Sequence, residues 1–154
     1  MTDRIERKLI ELGLTLPAPA APVASYVPMV EAGGLLHVSG QLPFKDGVVM
    51  TGRLGGGVDL AFGQEAAQRC ALMLVAQVKA AVGLHRVERI VKLGVFVNSA
   101  PGFTDQPKVA NGASDLMFAL FGDAGRHARS AVGVSALPLG AAVEVDAIIQ
   151  IYHN

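Results

Sequence analysis

The sequence predicts an α+β domain in the order ββ-α-β-α-ββ, an antiparallel-rich sheet with two helices packed on one face. Three observations predict it. Residues 59–83 and 107–121 carry apolar side chains at helical spacing and stop at Gly83 and Gly122. Around them lie short runs that alternate apolar and polar residues. The most regular sets Val143, Val145, Ala147, Ile149 and Ile151 against Glu144, Asp146 and Gln150. Turn-forming clusters separate these runs, and there is no internal repeat or heptad pattern.

Taken in order, Thr2 or Asp3 can cap a first short helix, with Glu6 placed for a capping box and Gly13 as its stop. Ile5, Leu9 and Leu12 share one side of it. A proline-alanine connector, Pro17 to Pro22, is expected to run extended over the surface. Tyr26–Val30 and Leu35–Gly40 read as two strands around a turn at Ala32-Gly33-Gly34. A second turn at Lys45-Asp46-Gly47 leads to a glycine-rich loop, Gly52–Gly57, expected to be flexible. It lacks the lysine and hydroxyl residue of a phosphate loop. Asp59 is a suitable N-cap for the longest helix. Ala67, Cys70, Ala71, Leu74, Val78 and Ala81 form its apolar set, and Gln64, Gln68, Gln77 and Lys79 occupy other faces. Cys70, inside that set, reads as a buried thiol. Arg89–Val97 is a strand, a second helix runs from near Pro107 to Phe121, and two strands close the chain.

At 154 residues the chain is one domain, long enough to bury a core without staples. Acidic and basic residues balance at thirteen each, which leaves no electrostatic footprint for nucleic acid or an anionic membrane surface. Hydrophobic residues make up 51% and charged residues 17%, an apolar excess that points to surface buried between subunits. The longest charge-free stretch, Leu12 to Val30, holds four prolines and cannot span a membrane as a helix. Asp3, Glu6 and Glu11 interrupt any signal-peptide core. A single cysteine excludes an internal disulfide and suits a reducing cytoplasm. His37, His85, His127 and His153 never fall at metal-ligand spacing, so no metal is expected.

Chemistry concentrates near the C-terminus. Arg129 alternates with Ala131, Gly133 and Ser135, away from Val132, Val134 and Ala136, so open space is expected over its guanidinium. Guanidinium binds a carboxylate through two parallel hydrogen bonds; the bland alternative is a solvated or ion-paired strand arginine. His127, two residues earlier, shares that face and either tunes the site or is a satisfied structural histidine. The last two strands are expected to run antiparallel, joined by a short turn around Pro138–Ala141, with Arg129 about eight residues before the turn and Glu144 about three after it. At ~3.3 Å per residue the two are offset by roughly 15–20 Å within one chain. Both could then serve one small substrate only from different subunits.

Tyr26, Ser39, Asn111, Arg129 and Glu144 remain as candidate site residues. Ser39-Gly40-Gln41-Leu42-Pro43 follows a strand, and Val91-Lys92-Leu93-Gly94-Val95-Phe96-Val97 follows the long helix. Ala128-Arg129-Ser130 then precedes Leu137-Pro138 and Val143-Glu144-Val145. Together these resemble the Rid family, the reactive-intermediate enamine/imine deaminases also labelled YjgF or endoribonuclease L-PSP proteins. The resemblance covers roughly residues 22–152 and leaves residues 1–21 outside it. It implies a chorismate-mutase-like fold, a homotrimer with clefts between subunits, and no cofactor. It also implies that Arg129 clamps a substrate carboxylate and Glu144 positions the hydrolytic water. Tyr26, Ser39 and Asn111 would line the cleft. Ala131 departs from a common cysteine, and Ser114 stands near a common aromatic, which makes the pocket roomier. The implied reaction is hydrolysis of a 2-imino acid to a 2-oxo acid and ammonia. Two other classes compete with it: a non-catalytic binder of small carboxylates, and an endoribonuclease, which would need a basic groove and a histidine pair that the sequence lacks.

Overall fold

A computed structural model describes residues 3–22 and 25–153. The chain forms α1 (Arg4–Glu11), β1 (Met29–Ala32), β2 (Leu35–Gln41), β3 (Phe44–Lys45), β4 (Val48–Val49), α2 (Leu60–Ala81), β5 (Val87–Asn98), α3 (Gln106–Phe121), β6 (Ala128–Val134) and β7 (Val143–Ile151). The α+β order follows the sequence pattern, with the expected short helix α1 ahead of it and a minimal β3–β4 hairpin added. Asp3 caps α1 by accepting a bond from the Ile5 amide, and Glu6 closes the capping box; Thr2 lies outside the described residues. Asp59 caps α2 by accepting from the Phe62 amide at 2.8 Å. Ile5 and Leu9 enter the core, whereas Leu12 stays exposed at the end of α1.

The five-stranded sheet has the order β1-β2-β7-β5-β6. The last two strands are therefore not a hairpin, because β5 lies between them. β6 pairs with β5 in parallel and β7 pairs with β5 antiparallel. Helix α3 accounts for this. A strand–helix–strand unit whose helix packs back on the sheet must return parallel to its first strand. By the same logic β2, α2 and β5 form a parallel unit, split by β7 inserted between its two strands.

Side chains alternate along β7, with Val143, Val145, Ala147, Ile149 and Ile151 buried toward the helices. They meet Leu72, Leu74, Val75 and Val78 of α2, and Leu116, Met117 and Leu120 of α3, in one core. Truncating a leucine in such a core costs about 2–5 kcal/mol. The other face of the sheet is open.

Two sequence expectations change here. Gln77 is buried rather than solvated, because the connector lies across α2 and covers it. Its Nε2 donates to Ala20 O at 2.7 Å and to Gln41 Oε1 at 3.2 Å, satisfying the amide. The glycine-rich loop is anchored rather than free. Leu54, fully buried among its glycines, donates its N–H to Asn98 O at 2.8 Å. No helix among the described residues is long and apolar enough to cross a membrane.

Candidate functional site

The candidate residues fall into two separate groups. The first centres on Arg129. It sits beside Leu93 of β5, and Leu93 is fully buried toward the helices, so Arg129 also faces α3. Its Nη1 donates to Asn111 Oδ1 at 2.8 Å and to Ser114 Oγ at 3.1 Å, and its Nη2 donates to Pro107 O at 3.3 Å. Pro107, Asn111 and Ser114 recur at helical spacing and form one face of α3. The space over Ala131 and Gly133 is accordingly filled, not open: Ala131 packs on the core, and a Cβ at Gly133 would lie 2.8 Å from Gln106 Nε2. The opening lies on the other side of the guanidinium, a hollow of about 320 Å3 lined by Ser114, Asp115, Phe118, Arg126 and His127. Nε of Arg129 and one hydrogen of Nη2 have no hydrogen-bond partner among the described residues. Those two N–H groups form the fork that a carboxylate can take.

His127 is held at both ring nitrogens, Nδ1 at 2.6 Å from Gly125 O and Nε2 at 2.8 Å from Ser114 Oγ. In the sequence Ser114 stands out only as smaller than an aromatic. In the fold its hydroxyl joins the arginine to the histidine. The legible signal was its position three residues after Asn111, on the same helical face.

The second group lies on the open face and at the far edge of the sheet. Glu144 pairs with Phe96 and points away from the helices. The register between β2 and β7 shifts between Val38 and Gln41, and in this bulge Gly40 meets the Glu144 carboxylate. A Cβ there would sit 2.1 Å from Glu144 Oε1. Burial raises the Glu144 carboxyl above its ordinary range, and the neighbouring Asp146 charge raises it further. Ser39 Oγ donates to Val27 O at 2.9 Å and so fixes the segment that carries Tyr26. Tyr26 sits in a bend ahead of β1, not within a strand as expected, and is 47% exposed. It lines a small hollow with Pro28, Gly40, Leu42 and Leu139. Leu139 holds a left-handed φ of 59° there, a strained conformation for a bulky side chain.

Arg129 and Glu144 do not meet. They stand level with Leu93 and Phe96, roughly 10 Å apart along the strands rather than the 15–20 Å expected from a hairpin. They also project from opposite faces of the sheet. Burial drives the Cys70 thiol well up, and Sγ contacts Val143 O, so it is a core residue. Among the described residues no three His, Cys, Asp or Glu side chains converge as metal ligands. A cleft of about 710 Å3 lies elsewhere, between the connector, Phe44 and α2. It holds none of the candidate residues. Of its two charged side chains, Asp46 and Arg69, the arginine already donates Nε to Phe44 O.

A family model described as "YjgF/chorismate mutase-like, putative endoribonuclease" matches residues 6–151, and so begins within α1 rather than near residue 22. Protein TCP17 of Trypanosoma cruzi is 57% identical over 97% of this chain and 96% of its own. The crystal structure of Atu1372 from Agrobacterium tumefaciens, a protein of unknown function, is 49% identical with a TM-score of 0.92. That likeness covers 97% of this chain and 94% of that one. The crystal structure of RidA from an Antarctic Psychrobacter is 28% identical with a TM-score of 0.62, over 89% and 96% of the two chains.

Proposed function

Because the chain belongs to the YjgF/chorismate mutase-like (Rid) family, we propose that it hydrolyses reactive 2-imino acids and their enamine tautomers to 2-oxo acids and ammonia. The observation that carries this reading is the guanidinium of Arg129. It is tied to α3 along one edge and keeps a two-donor fork on the other. A clamp fixed before the ligand arrives loses little freedom on binding and holds the adjacent carbon in a set position. Glu144 supplies the complementary function. A carboxyl raised toward neutrality by burial takes a proton from water more readily than an ordinary glutamate. In the reaction the water oxygen bonds to C2 of the imine and its proton passes to Glu144. With the C=N electron pair now on nitrogen, that nitrogen takes one proton from solvent to give the neutral carbinolamine and a second from Glu144. The hydroxyl gives up its proton to solvent, the C–N bond breaks, and ammonia leaves as C2 becomes a carbonyl. No cofactor takes part.

The site is shared between subunits of a homotrimer. One chain sets Arg129 and Glu144 on opposite faces of a sheet, so a single small substrate reaches both only if each comes from a different copy. The open face supports such an assembly, since Val30 and Val132 lie on it about half exposed, Val132 beside Phe96 and Val30 beside His37. The lone buried thiol suits a reducing cytoplasm.

The test uses freshly generated 2-iminopropanoate. Arg129→Ala and Glu144→Ala proteins should each be inactive alone and regain part of the wild-type rate after subunit exchange, because some clefts then carry both native residues. Confirmed exchange without recovery refutes the shared site. Wild-type protein that binds pyruvate but releases no ammonia would make the chain a carboxylate-binding protein instead.

A further inference from the structure

We propose that Ser114 and His127 are positioning residues for Arg129, a hydrogen-bond relay that decides which edge of the guanidinium meets the ligand. This deepens the reading of Arg129 as a carboxylate clamp and rests on it. The direction of every proton in the relay follows from what each atom can do. Gly125 O only accepts, so the 2.6 Å contact places a hydrogen on Nδ1 of His127. A neutral imidazole carries one N–H, so Nε2 is an acceptor, and the 2.8 Å contact makes Ser114 Oγ the donor. With its proton committed, Oγ presents a lone pair to Arg129, which donates from Nη1 at 3.1 Å. The chain therefore runs one way, from Arg129 to Ser114 to His127 to Gly125, and no atom is asked to donate and accept in conflict. Bonds aligned in this manner polarise and strengthen one another.

The consequence is geometric. Asn111 and Ser114 together occupy both hydrogens of Nη1. A carboxylate is left with the fork of Nε and Nη2. Without Ser114 or its histidine anchor, Nη1 loses one of its two bonds and the guanidinium can turn on the remaining contacts to Asn111 Oδ1 and Pro107 O. The positive charge remains, so a carboxylate still binds. Its 2-carbon is no longer held in one place for the water on the partner subunit's side of the cleft. Loss of the relay should therefore lower kcat more than it raises KM, because misplacement of a reacting centre by about 1 Å can cost as much as 10²-fold in rate.

The relay is tested first in ligand-free protein by nitrogen-15 NMR. His127 should show the Nδ1–H tautomer, and the Arg129 guanidinium should give separate, slowly exchanging Nη signals that merge in Ser114→Ala. The Nε2–H tautomer, or free Nη rotation in wild type, overturns the proposal. Kinetics with 2-iminopropanoate then test its purpose. Ser114→Ala and His127→Ala should each lose about tenfold or more in kcat with KM within about threefold, and the double variant should lose no more than either single one. Ser114→Thr, which keeps the hydroxyl, should restore the rate. Equal losses in Ser114→Thr and Ser114→Ala, or additive losses in the double variant, mean the pair is only structural and refute the relay. Wild-type protein that fails to hydrolyse the imine counts against the proposed function alone, because tautomer and guanidinium rotation still decide the relay.

Discussion

Gly40→Ala separates the position of Glu144 from its presence. The new Cβ would stand 2.1 Å from Glu144 Oε1, 2.9 Å from Cδ and 3.1 Å from Cγ. Gly40 does not adopt a positive φ, so the backbone accepts alanine. The carboxylate is the far end of a flexible side chain, and it must retreat by more than about 1 Å to reach an ordinary contact. Two stability effects nearly cancel. Alanine removes unfolded-state freedom, worth about 0.4–1 kcal/mol, while an off-rotamer glutamate costs about 0.5–1.5 kcal/mol. The melting temperature should therefore stay within about 3 °C of wild type. Activity should not. A shift of about 1 Å in the group that orients water is expected to lower kcat toward 10²-fold, near 2.7 kcal/mol of barrier. Gly94→Ala is the matched control. Its Cβ would lie 2.3 Å from Asp146 Oδ1 on the same face, and Asp146 enters the proposed chemistry only through its charge beside Glu144, so a smaller loss is expected. Differential scanning fluorimetry and ammonia release from 2-iminopropanoate read the two effects separately. Full activity in Gly40→Ala, or an equal loss in Gly94→Ala, would refute the placement of Glu144 at the reacting centre.

Two further predictions concern charge. Arg129→Lys should fail nearly as badly as Arg129→Ala, each losing about 10²-fold or more in kcat/KM with the fold retained, because an ammonium is a point charge that cannot tie one edge to Asn111 and Ser114 and offer a fork on the other; a lysine variant with near wild-type rate and pyruvate affinity would refute the clamp. Glu144 and Asp146 both have carboxyls raised chiefly by burial, so between the ordinary carboxylate range and their raised values the folded chain binds more protons than the unfolded one. The stability they allow is present in full below the unfolded value and is lost as pH rises through the folded one. Glu144→Gln and Asp146→Asn should therefore melt slightly higher at pH 7 and flatten the dependence between pH 4 and pH 7, a small effect because both groups are half exposed; melts against pH in which the variants keep the wild-type slope would count against this.

The sequence by itself determined which segments become helix or strand, where α1 and α2 begin, and which residues share a face. Each of these depends on neighbours within a turn or two, through caps, side-chain period and glycine stops. Asp3 and Asp59 cap where the sequence says they should, and Val143 to Ile151 alternate as written. The candidate residues were nominated by short local motifs and by the family resemblance those motifs carry. Strand neighbours were not, because backbone hydrogen bonds carry no sequence label and any two strands of suitable length can pair. Only the return of the chain through α3 makes β6 parallel to β5, and only the insertion of β7 between β2 and β5 keeps Arg129 and Glu144 from being hairpin partners. Burial of Gln77 depended on a connector more than fifty residues away that covers α2. The role of Ser114 depended on α3 lying over β6, where a hydroxyl on one element meets an arginine and a histidine on the next. Tertiary packing decided those contacts because it alone fixes which surfaces face each other once the local elements exist.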